Sequence, residues 1–361
     1  MNCIKDAIVV DAKVLAANDK YALCYRKGDL FRLDILSMRL EFLTSLPYSP
    51  SKRLLTKCQL TERLLRLEPR TAISLDDTTF LFTFNGKIVS IDIMSGETRI
   101  EHEFRQGMNN PLNLIQIQGL RGFGNSILYG EYFSNNGFED VRIWQRIDGV
   151  WKTAYTFRAG LIYHIHSLVA DYKNSCLYVL TGDSDEESGI WKMCDNFQSI
   201  QRILGGSQQY RSCVAFPYNN CLLYATDTPH ENNRLYCASQ NDGKWVVESK
   251  YDMPGPCIYG IAHNGKLFFA TSVEADDLLP AYRYRFSYKL GVGVKDRFSH
   301  IVSMDESGTV KELCRFKKDI WPMLLFQFGN CLFPNNSNEK YLMICPQSVC
   351  TYHGKTLLME I

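Results

Sequence analysis

The stretch Cys176-Leu-Tyr-Val-Leu-Thr-Gly-Asp183 is a short apolar segment that ends in small residues and an acid, and this pattern occurs four times in the chain. The other copies are Ser126-Ile-Leu-Tyr-Gly-Glu131, Cys221-Leu-Leu-Tyr-Ala-Thr-Asp227 and Lys266-Leu-Phe-Phe-Ala-Thr-Ser-Val-Glu274. Their final acids follow one another at intervals of 52, 44 and 47 residues. A period of this length in a β-rich chain indicates one supersecondary unit repeated around an axis. The sequence therefore predicts an all-β fold, a β-propeller.

Turn residues divide each repeat into four short strands, labelled a to d. In the clearest repeat, blade 4, the predicted strands are 162–170, 176–180, 189–194 and 199–204. We predict one domain, 1–361, with seven four-stranded blades. Six blades are the alternative, if the first blade is a partial sheet that the C-terminus completes, and two stacked unrelated β domains are a further one. Residues 47–63 are predicted to form an inter-blade loop or short helix, and 276–297 an insertion in blade 6.

Composition limits the partners and the compartment. The formal net charge is +1, so no overall field attracts nucleic acid or an anionic membrane, and neither partner is predicted. The start of the chain lacks the pattern of a signal peptide, and no apolar run is long enough for a transmembrane helix. The 13 cysteines show no disulfide-framework spacing, so we expect unpaired thiols and a cytoplasmic location. Several lie in apolar strands, namely Cys176, Cys221, Cys237, Cys331 and Cys345.

Polar residues of blades 3, 4 and 5 are predicted to gather at one face. In a propeller the b–c loops and the d–a connections open on the same face, and strand a begins there beside the central channel. The predicted catalytic residues are His164, His166, Asp183 and Arg211, and the predicted substrate-binding residues are Glu131, Asp185, Gln209, Asp227 and Glu231. A concave site with several convergent polar groups is the default position for a binding site.

Alternation along a strand places His164 and His166 on the same side of the inner strand of blade 4. Three roles stay open for this pair. The two imidazoles could make structural hydrogen bonds in the channel wall, or contact substrate as acid or base with Asp183. They could also bind a divalent metal that Asp183 or Gln209 completes. The sequence alone commits to no cofactor.

Arg211 begins the inner strand of blade 5, and two roles stay open for it as well. Its guanidinium could grip a carboxylate or phosphate of a ligand, or it could form an ion pair with Asp183 or Asp227.

Two turns between strands c and d carry remnants of an Asp box. Asp148, Gly149 and Trp151 keep part of that motif in Arg146-Ile-Asp-Gly-Val-Trp151, and Asp195 keeps its acid in the equivalent turn of blade 4. In these turns the chain resembles the sialidase-like propellers with Asp-box (BNR) repeats. The resemblance implies a propeller of six or seven blades that handles sugars. Sialidases also use an arginine triad and a Tyr–Glu pair, whereas Glu131 and Tyr132 are neighbours that point to opposite faces of a strand.

The first functional hypothesis is an intracellular propeller that binds or processes a carbohydrate on the face of blades 3–5. Glu131 and Asp183 would act as acid and base in glycoside hydrolysis, or a His–Arg pair would remove a proton beside a uronic-acid carboxylate in a lyase-like reaction. The alternative is a non-catalytic protein-interaction scaffold that uses apolar loops such as Phe133, Phe138 and the blade 6 insertion. The second alternative is a metal-dependent lyase that uses His164 and His166.

Overall fold

The computed structural model describes residues 6–361 and confirms a β-propeller of seven four-stranded blades around a central channel. Strand a of each blade lines the channel, and strand d lies at the outside. Consecutive blades pack side by side around the ring, and the last blade meets the first. The alternatives of six blades and of two stacked β domains are therefore wrong.

The strands follow the chain in order. The chain opens with β1 (Ile8–Val10), which belongs to the last blade. Blade 1 contains β2 (Lys13–Ala17), β3 (Tyr21–Arg26), β4 (Asp29–Asp34) and β5 (Arg39–Ser45). Blade 2 contains β6 (Ala72–Ser74), β7 (Thr79–Phe84), β8 (Lys87–Asp92) and β9 (Thr98–Glu103). Blade 3 contains β10 (Ile115–Ile117), β11 (Ser126–Gly130), β12 (Val141–Ile147) and β13 (Val150–Phe157).

The second half of the ring repeats the plan. Blade 4 contains β14 (His164–Asp171), β15 (Cys176–Gly182), β16 (Gly189–Cys194) and β17 (Ser199–Gly205). Blade 5 contains β18 (Ser212–Tyr218), β19 (Cys221–Thr226), β20 (Arg234–Asn241) and β21 (Lys244–Asp252). Blade 6 contains β22 (Cys257–His263), β23 (Lys266–Thr271), β24 (Phe298–Met304) and β25 (Val310–Lys317). Blade 7 contains β26 (Asn330–Leu332), β28 (Leu342–Gln347) and β29 (Thr356–Met359), and β27 (Asn335–Asn336) lies between β26 and β28 in the chain.

Both ends of the chain close the ring. Strand β1 pairs antiparallel with β29, Ile8 opposite Leu358 and Val10 opposite Thr356, and becomes the outer strand of blade 7. The short β27 pairs parallel with β2 and links blade 7 to blade 1. Strand β1 thus completes the last blade, whereas blade 1 is formed by its own four strands and gains β27 beside β2.

The inner strands are buried on both faces because each blade is covered by a neighbour on either side. Every residue of β15 is buried, whereas the outer strand β17 alternates between exposed and half-buried positions. Aromatic and β-branched side chains fill these double-sided positions well. This explains why the second strand of each repeat is the most recognisable in the sequence.

Short helices border one face of the ring. Helices α1 (Pro50–Thr56) and α2 (Gln59–Leu65) connect blade 1 to blade 2 within the predicted loop 47–63 and just beyond it. Helix α3 (Ala281–Phe286) lies in the blade 6 insertion, and α4 (Met323–Phe326) packs against both α2 and α3. Within residues 6–361, no helix combines the length and apolarity needed to cross a lipid bilayer.

One cysteine pair differs from the sequence expectation. Cys221 and Cys237 lie on the neighbouring strands β19 and β20 with Cα atoms 6.1 Å apart, and a disulfide joins them. Both side chains are half-buried, unlike the fully buried thiols of Cys176, Cys331 and Cys345. The spacing of 16 residues matches no disulfide framework, so only the strand pairing reveals this partnership.

Blades 3 and 4 pack so closely at Gly130 that one added methyl group should destabilise the fold. A Cβ added at Gly130 would lie 2.3 Å from Cγ2 of Ile165, so Gly130→Ala should lower the free energy of unfolding by roughly 1–3 kcal/mol through overpacking. Chemical denaturation measures this change. Gly124→Ala is the control, because no heavy atom lies within 4 Å of its added Cβ. Equal stability of the two variants would contradict the packing.

Candidate functional site

A cavity of about 910 Å³ occupies the central channel. Its charged residues gather at the end where the a strands begin, which we call the mouth. From blades 3 to 5 the mouth receives Tyr132, His166, Asp183, Arg211, Cys213 and Asp227, and from blades 1 and 2 it receives Lys13, Arg66, Glu68 and Arg70. The volume lies within the roughly 300–1,000 Å³ range of small-ligand sites.

Two imidazoles converge on the carboxylate of Asp183. Nε2 of His166 lies 3.1 Å from Oδ1 of Asp183, and Nε2 of His164 lies 3.4 Å from the same oxygen. Both rings come from the start of β14, and Asp183 follows the end of the neighbouring strand β15. Both imidazoles are almost fully buried, whereas 41% of the Asp183 side chain is open to the cavity.

Main-chain carbonyl groups fix the tautomers of both histidines. Nδ1 of His164 lies 2.9 Å from the carbonyl oxygen of Phe133, and Nδ1 of His166 lies 3.0 Å from that of Ser212. A carbonyl oxygen only accepts, so each Nδ1 carries a proton, and in neutral His164 the Nε2 lone pair faces Asp183. Burial lowers the pKa of His164 and favours this neutral form. Nε2 of His166 is hydrogen-bonded to Oδ1 of Asp183, whereas Nε2 of His164 has no hydrogen bond within residues 6–361.

Arg211 and Gln208 hold Asp183 from the blade 5 side. Nη2 of Arg211 lies 3.2 Å from Oδ1 of Asp183, and Nη1 donates to the main-chain oxygen of Asp183 at 3.2 Å. Nε2 of Gln208 donates to the same main-chain oxygen at 3.0 Å. Burial opposes ionisation, yet the two histidines and Arg211 hold the pKa of Asp183 well below its usual range. Arg211 thus forms an ion pair with Asp183, one of the roles that the sequence left open.

A second group overlaps the first. Ligand atoms of His166, Cys213 and Asp227 lie within 4.8 Å of one another, as do those of His164, His166 and Asp183. The Sγ of Cys213 donates to Oδ2 of Asp227 at 3.2 Å. Burial and the charge of Asp227 raise the pKa of the Cys213 thiol well above its usual value, so this sulfur stays protonated. The harder donor set of two imidazoles and Asp183 is therefore the one available to a cation.

Four of the predicted binding residues lie away from the cavity. Glu131 is completely buried inside blade 3, where its carboxylate accepts from the amide of Arg142 at 2.9 Å and from Nε1 of Trp144 at 3.1 Å. Strand alternation instead turns its neighbour Tyr132 to the channel. Asp185 is exposed and bonds Gln208 at 3.0 Å. Glu231 is also exposed, on the outer part of its loop.

Gln209 is the fourth, and the reason is a 3-10 turn. Residues Gln208–Tyr210 form this turn, which directs Gln208 to Asp183 and turns Gln209 toward Tyr224.

The fourth acid of the repeat, Glu274, also makes a local contact, because Ser272 donates to its carboxylate. Burial and the charge of Asp227 raise the pKa of Glu274. Of the four repeat acids, Asp183 and Asp227 line the cavity.

Several mouth residues escaped the sequence reasoning. Cys213 follows Arg211 by two positions, so the alternation applied to His164 and His166 would have found it. Tyr132 packs over His164 with ring centroids 4.4 Å apart, and its hydroxyl makes no hydrogen bond within residues 6–361. The cations Arg66 and Arg70 lie in an inter-blade connection that is not repeated, so no sequence pattern marks them.

Comparisons with known proteins support the fold. No family model and no curated protein matches the chain. Among solved structures, it is similar to an oligogalacturonate lyase in complex with manganese, with a TM-score of 0.56 and 10% identity over 99% of this chain and 91% of that one. It is also similar to a chain of the mitotic checkpoint complex, with a TM-score of 0.54 and 9% identity over 100% and 92% of the two chains. A third similar structure is the AfRom2 CNH domain, with a TM-score of 0.53 and 7% identity over 98% and 96%. At identities this low, the three matches show a shared fold alone. None of them supports the predicted resemblance to Asp-box propellers.

The tight approach of Gly182 to His166 gives a test of the site's geometry. An added Cβ would lie 2.4 Å from Cε1 of His166, so Gly182→Ala should displace the ring and break its bond to Ser212. Imidazole NMR resonances of His166 would report the shift, with a stability loss of roughly 1–3 kcal/mol. Gly137→Ala, on a loop at the same face, is the control because its nearest contact is 3.8 Å. Unchanged His166 resonances in Gly182→Ala would refute this arrangement.

Proposed function

We propose that this protein is a metal-dependent lyase that acts on an acidic carbohydrate. The observation that carries the proposal is the convergence of two buried imidazole Nε2 atoms on the carboxylate of Asp183 at the mouth of the channel. Two imidazoles and one carboxylate, with positions left open toward the cavity, are a donor set for a divalent ion such as Mn²⁺, Fe²⁺ or Zn²⁺.

An unsatisfied ring nitrogen also fits such an ion. Nε2 of His164 is buried and has no hydrogen bond in the described chain, so a ligand role would satisfy it. In other proteins, metal-binding histidines are oriented by a hydrogen bond from the second ring nitrogen. The bonds from Nδ1 to the carbonyl groups of Phe133 and Ser212 are of this kind. Arg211 would hold Asp183 in position from the other side.

The chemistry follows from groups around this centre. A divalent ion held by His164, His166 and Asp183 would supply positive charge that favours loss of a proton from the carbon beside a carboxylate. Asp227 lines the cavity and would accept that proton. Burial and the charge of Asp183 raise the pKa of Tyr132, so its hydroxyl keeps a proton to donate to the leaving oxygen. The carbon–hydrogen and carbon–oxygen bonds break, a carbon–carbon double bond forms, and no oxidant is required.

Two findings support a lyase over a glycoside hydrolase. Hydrolysis needs two carboxyl groups that are free to act on the substrate, but Glu131 is enclosed in blade 3 and Asp183 is held by Arg211 and two histidines. The solved lyase of similar fold is described as an oligogalacturonate lyase bound to manganese. An anionic substrate also suits the cations Lys13, Arg66 and Arg70 along the cavity wall.

Metal binding is the direct test. Wild-type protein should bind one Mn²⁺ per chain by isothermal titration calorimetry and mass spectrometry. His164→Ala/His166→Ala should abolish binding, and Asp183→Asn should weaken it at least about tenfold. His230→Ala is the control, since this histidine lies on the same face beside Asp277. Absence of metal from the wild type, or its retention by the double variant, would overturn the proposal.

Turnover distinguishes the reaction class. Metal-loaded protein incubated with uronate oligosaccharides should give a product with a carbon–carbon double bond, detected by ultraviolet absorbance. Asp227→Asn and Tyr132→Phe should each lower kcat by roughly 10²–10⁴ while the metal content stays constant. Tyr163→Phe serves as control because the Tyr163 hydroxyl bonds Asn136 at 2.9 Å, outside the cavity. Wild-type turnover by the Asp227 and Tyr132 variants would refute the assigned roles, and a saturated product would refute elimination.

An exposed apolar rim favours a protein-interaction scaffold as the second candidate function. Leu278, Tyr282 and Phe286 in the blade 6 insertion are 70%, 74% and 61% exposed. By contrast, Phe133 is buried beneath Arg105 and does not contribute to such a surface. One solved structure of similar fold belongs to a mitotic checkpoint complex. Failure of both metal binding and turnover would leave this function as the better one.

A further inference from the structure

We infer that Arg66 and Arg70 form a second anion-binding subsite, across the mouth from Asp183, so that the substrate carries at least two carboxylates. The identity of the substrate as an acidic carbohydrate rests on the proposed function. The subsite itself rests on the placement and partners of the two arginines.

Both arginines come from the connection between blades 1 and 2. Arg66 ends α2 in the left-handed conformation, with φ of 51°, and Arg70 lies just before β6. In a seven-bladed ring this connection faces blades 4 and 5, which carry Asp183 and Arg211. All four side chains line the same cavity, so one ligand could touch both walls.

The Arg70 side chain has no direct ion pair in the described part of the chain. Within residues 6–361 its side chain makes no hydrogen bond either, and the side chain of Arg66 makes one hydrogen bond, to the main-chain oxygen of Leu324 at 3.1 Å. The other cations near the mouth are neutralised. Lys13 pairs with Glu68 at 3.1 Å, and Arg211 pairs with Asp183 at 3.2 Å.

The two guanidinium groups also lie close enough to repel each other. Arg66 is exposed at the mouth, where partial desolvation and the charge of Arg70 lower its pKa. The nearest acid, Glu68, is already engaged, because Lys13 and Arg70 hold its pKa at about 2 against the effect of burial. With Lys13 included, three cations and one acid share this wall, which leaves an excess of positive charge that a bound anion would neutralise.

A carboxylate fits this excess best. Guanidinium groups bind planar carboxylates through paired hydrogen bonds, and two arginines on one wall can hold a single group from both sides. The reacting sugar would place its own carboxylate beside the cation proposed at Asp183 and the two histidines. The second carboxylate would then belong to a neighbouring sugar unit, so the structure favours an oligomer of uronic acid over a single sugar.

Calorimetric binding of three ligands tests the subsite, with a monouronate, a diuronate and a neutral disaccharide as probes. The wild type should bind the diuronate at least about tenfold more tightly than either other probe, as expected for charge-assisted hydrogen bonds. Arg70→Gln, and more strongly Arg66→Gln/Arg70→Gln, should remove that preference and leave monouronate and Mn²⁺ affinity unchanged. Arg121→Gln is the matched control, since this exposed arginine lies on an a–b turn at the opposite face. Circular dichroism confirms folding of each variant.

The outcomes separate this inference from the proposed function. A diuronate preference that survives Arg66→Gln/Arg70→Gln, or equal binding of the neutral disaccharide by the wild type, would overturn the subsite even if metal binds. Loss of metal in His164→Ala/His166→Ala, with the diuronate preference retained, would support a subsite that acts independently of the metal centre. Absence of binding of all three probes to the wild type would overturn the subsite, and Mn²⁺ titration would then decide the fate of the metal centre alone.

Discussion

Closure of the ring by the pairing of β1 with β29 is the constraint on which the rest of the structure depends. A blade has two apolar faces and is stable only between two neighbours. Since the N-terminal strand completes the last blade, the first and last blades are held together by main-chain hydrogen bonds as well as by packing. Seven a strands then begin around one mouth, and their first residues are brought within reach of one another.

The mouth shows how main-chain geometry can prepare polar side chains for a task. The Nδ1–H groups of the two histidines donate to the carbonyl oxygens of Phe133 and Ser212, which turns both Nε2 atoms toward Asp183. Arg211 and Gln208 fix that acid through its side chain and its main-chain oxygen. The groups that would contact a cation are thus rigid before it arrives, which lowers the cost of binding it.

Repetition determined how much could be predicted from the sequence. The strand-b pattern predicted the blades, and alternation placed His164 and His166 together, because both depend on local periodicity. Departures from the repeat could not be predicted in this way. Glu131 turned inward because Trp144 and Arg142 lie on the paired strand, and Gln208 replaced Gln209 because of a single 3-10 turn. The Cys221–Cys237 disulfide depends on strand pairing, which spacing does not reveal.

The two walls of the cavity belong to different kinds of element, and these elements tolerate sequence change differently. His164 and His166 lie on the inner strand β14, which pairs with β15 and shifts register between Ile165 and Ser167, so a further insertion or deletion there would disturb the packing of the ring. Arg66 and Arg70 lie in or beside a helical connection outside the sheets, where length and sequence are far less restricted. Related proteins could therefore keep one reactive centre and acquire new ligands by exchanging this connection, so that chemistry and recognition evolve separately.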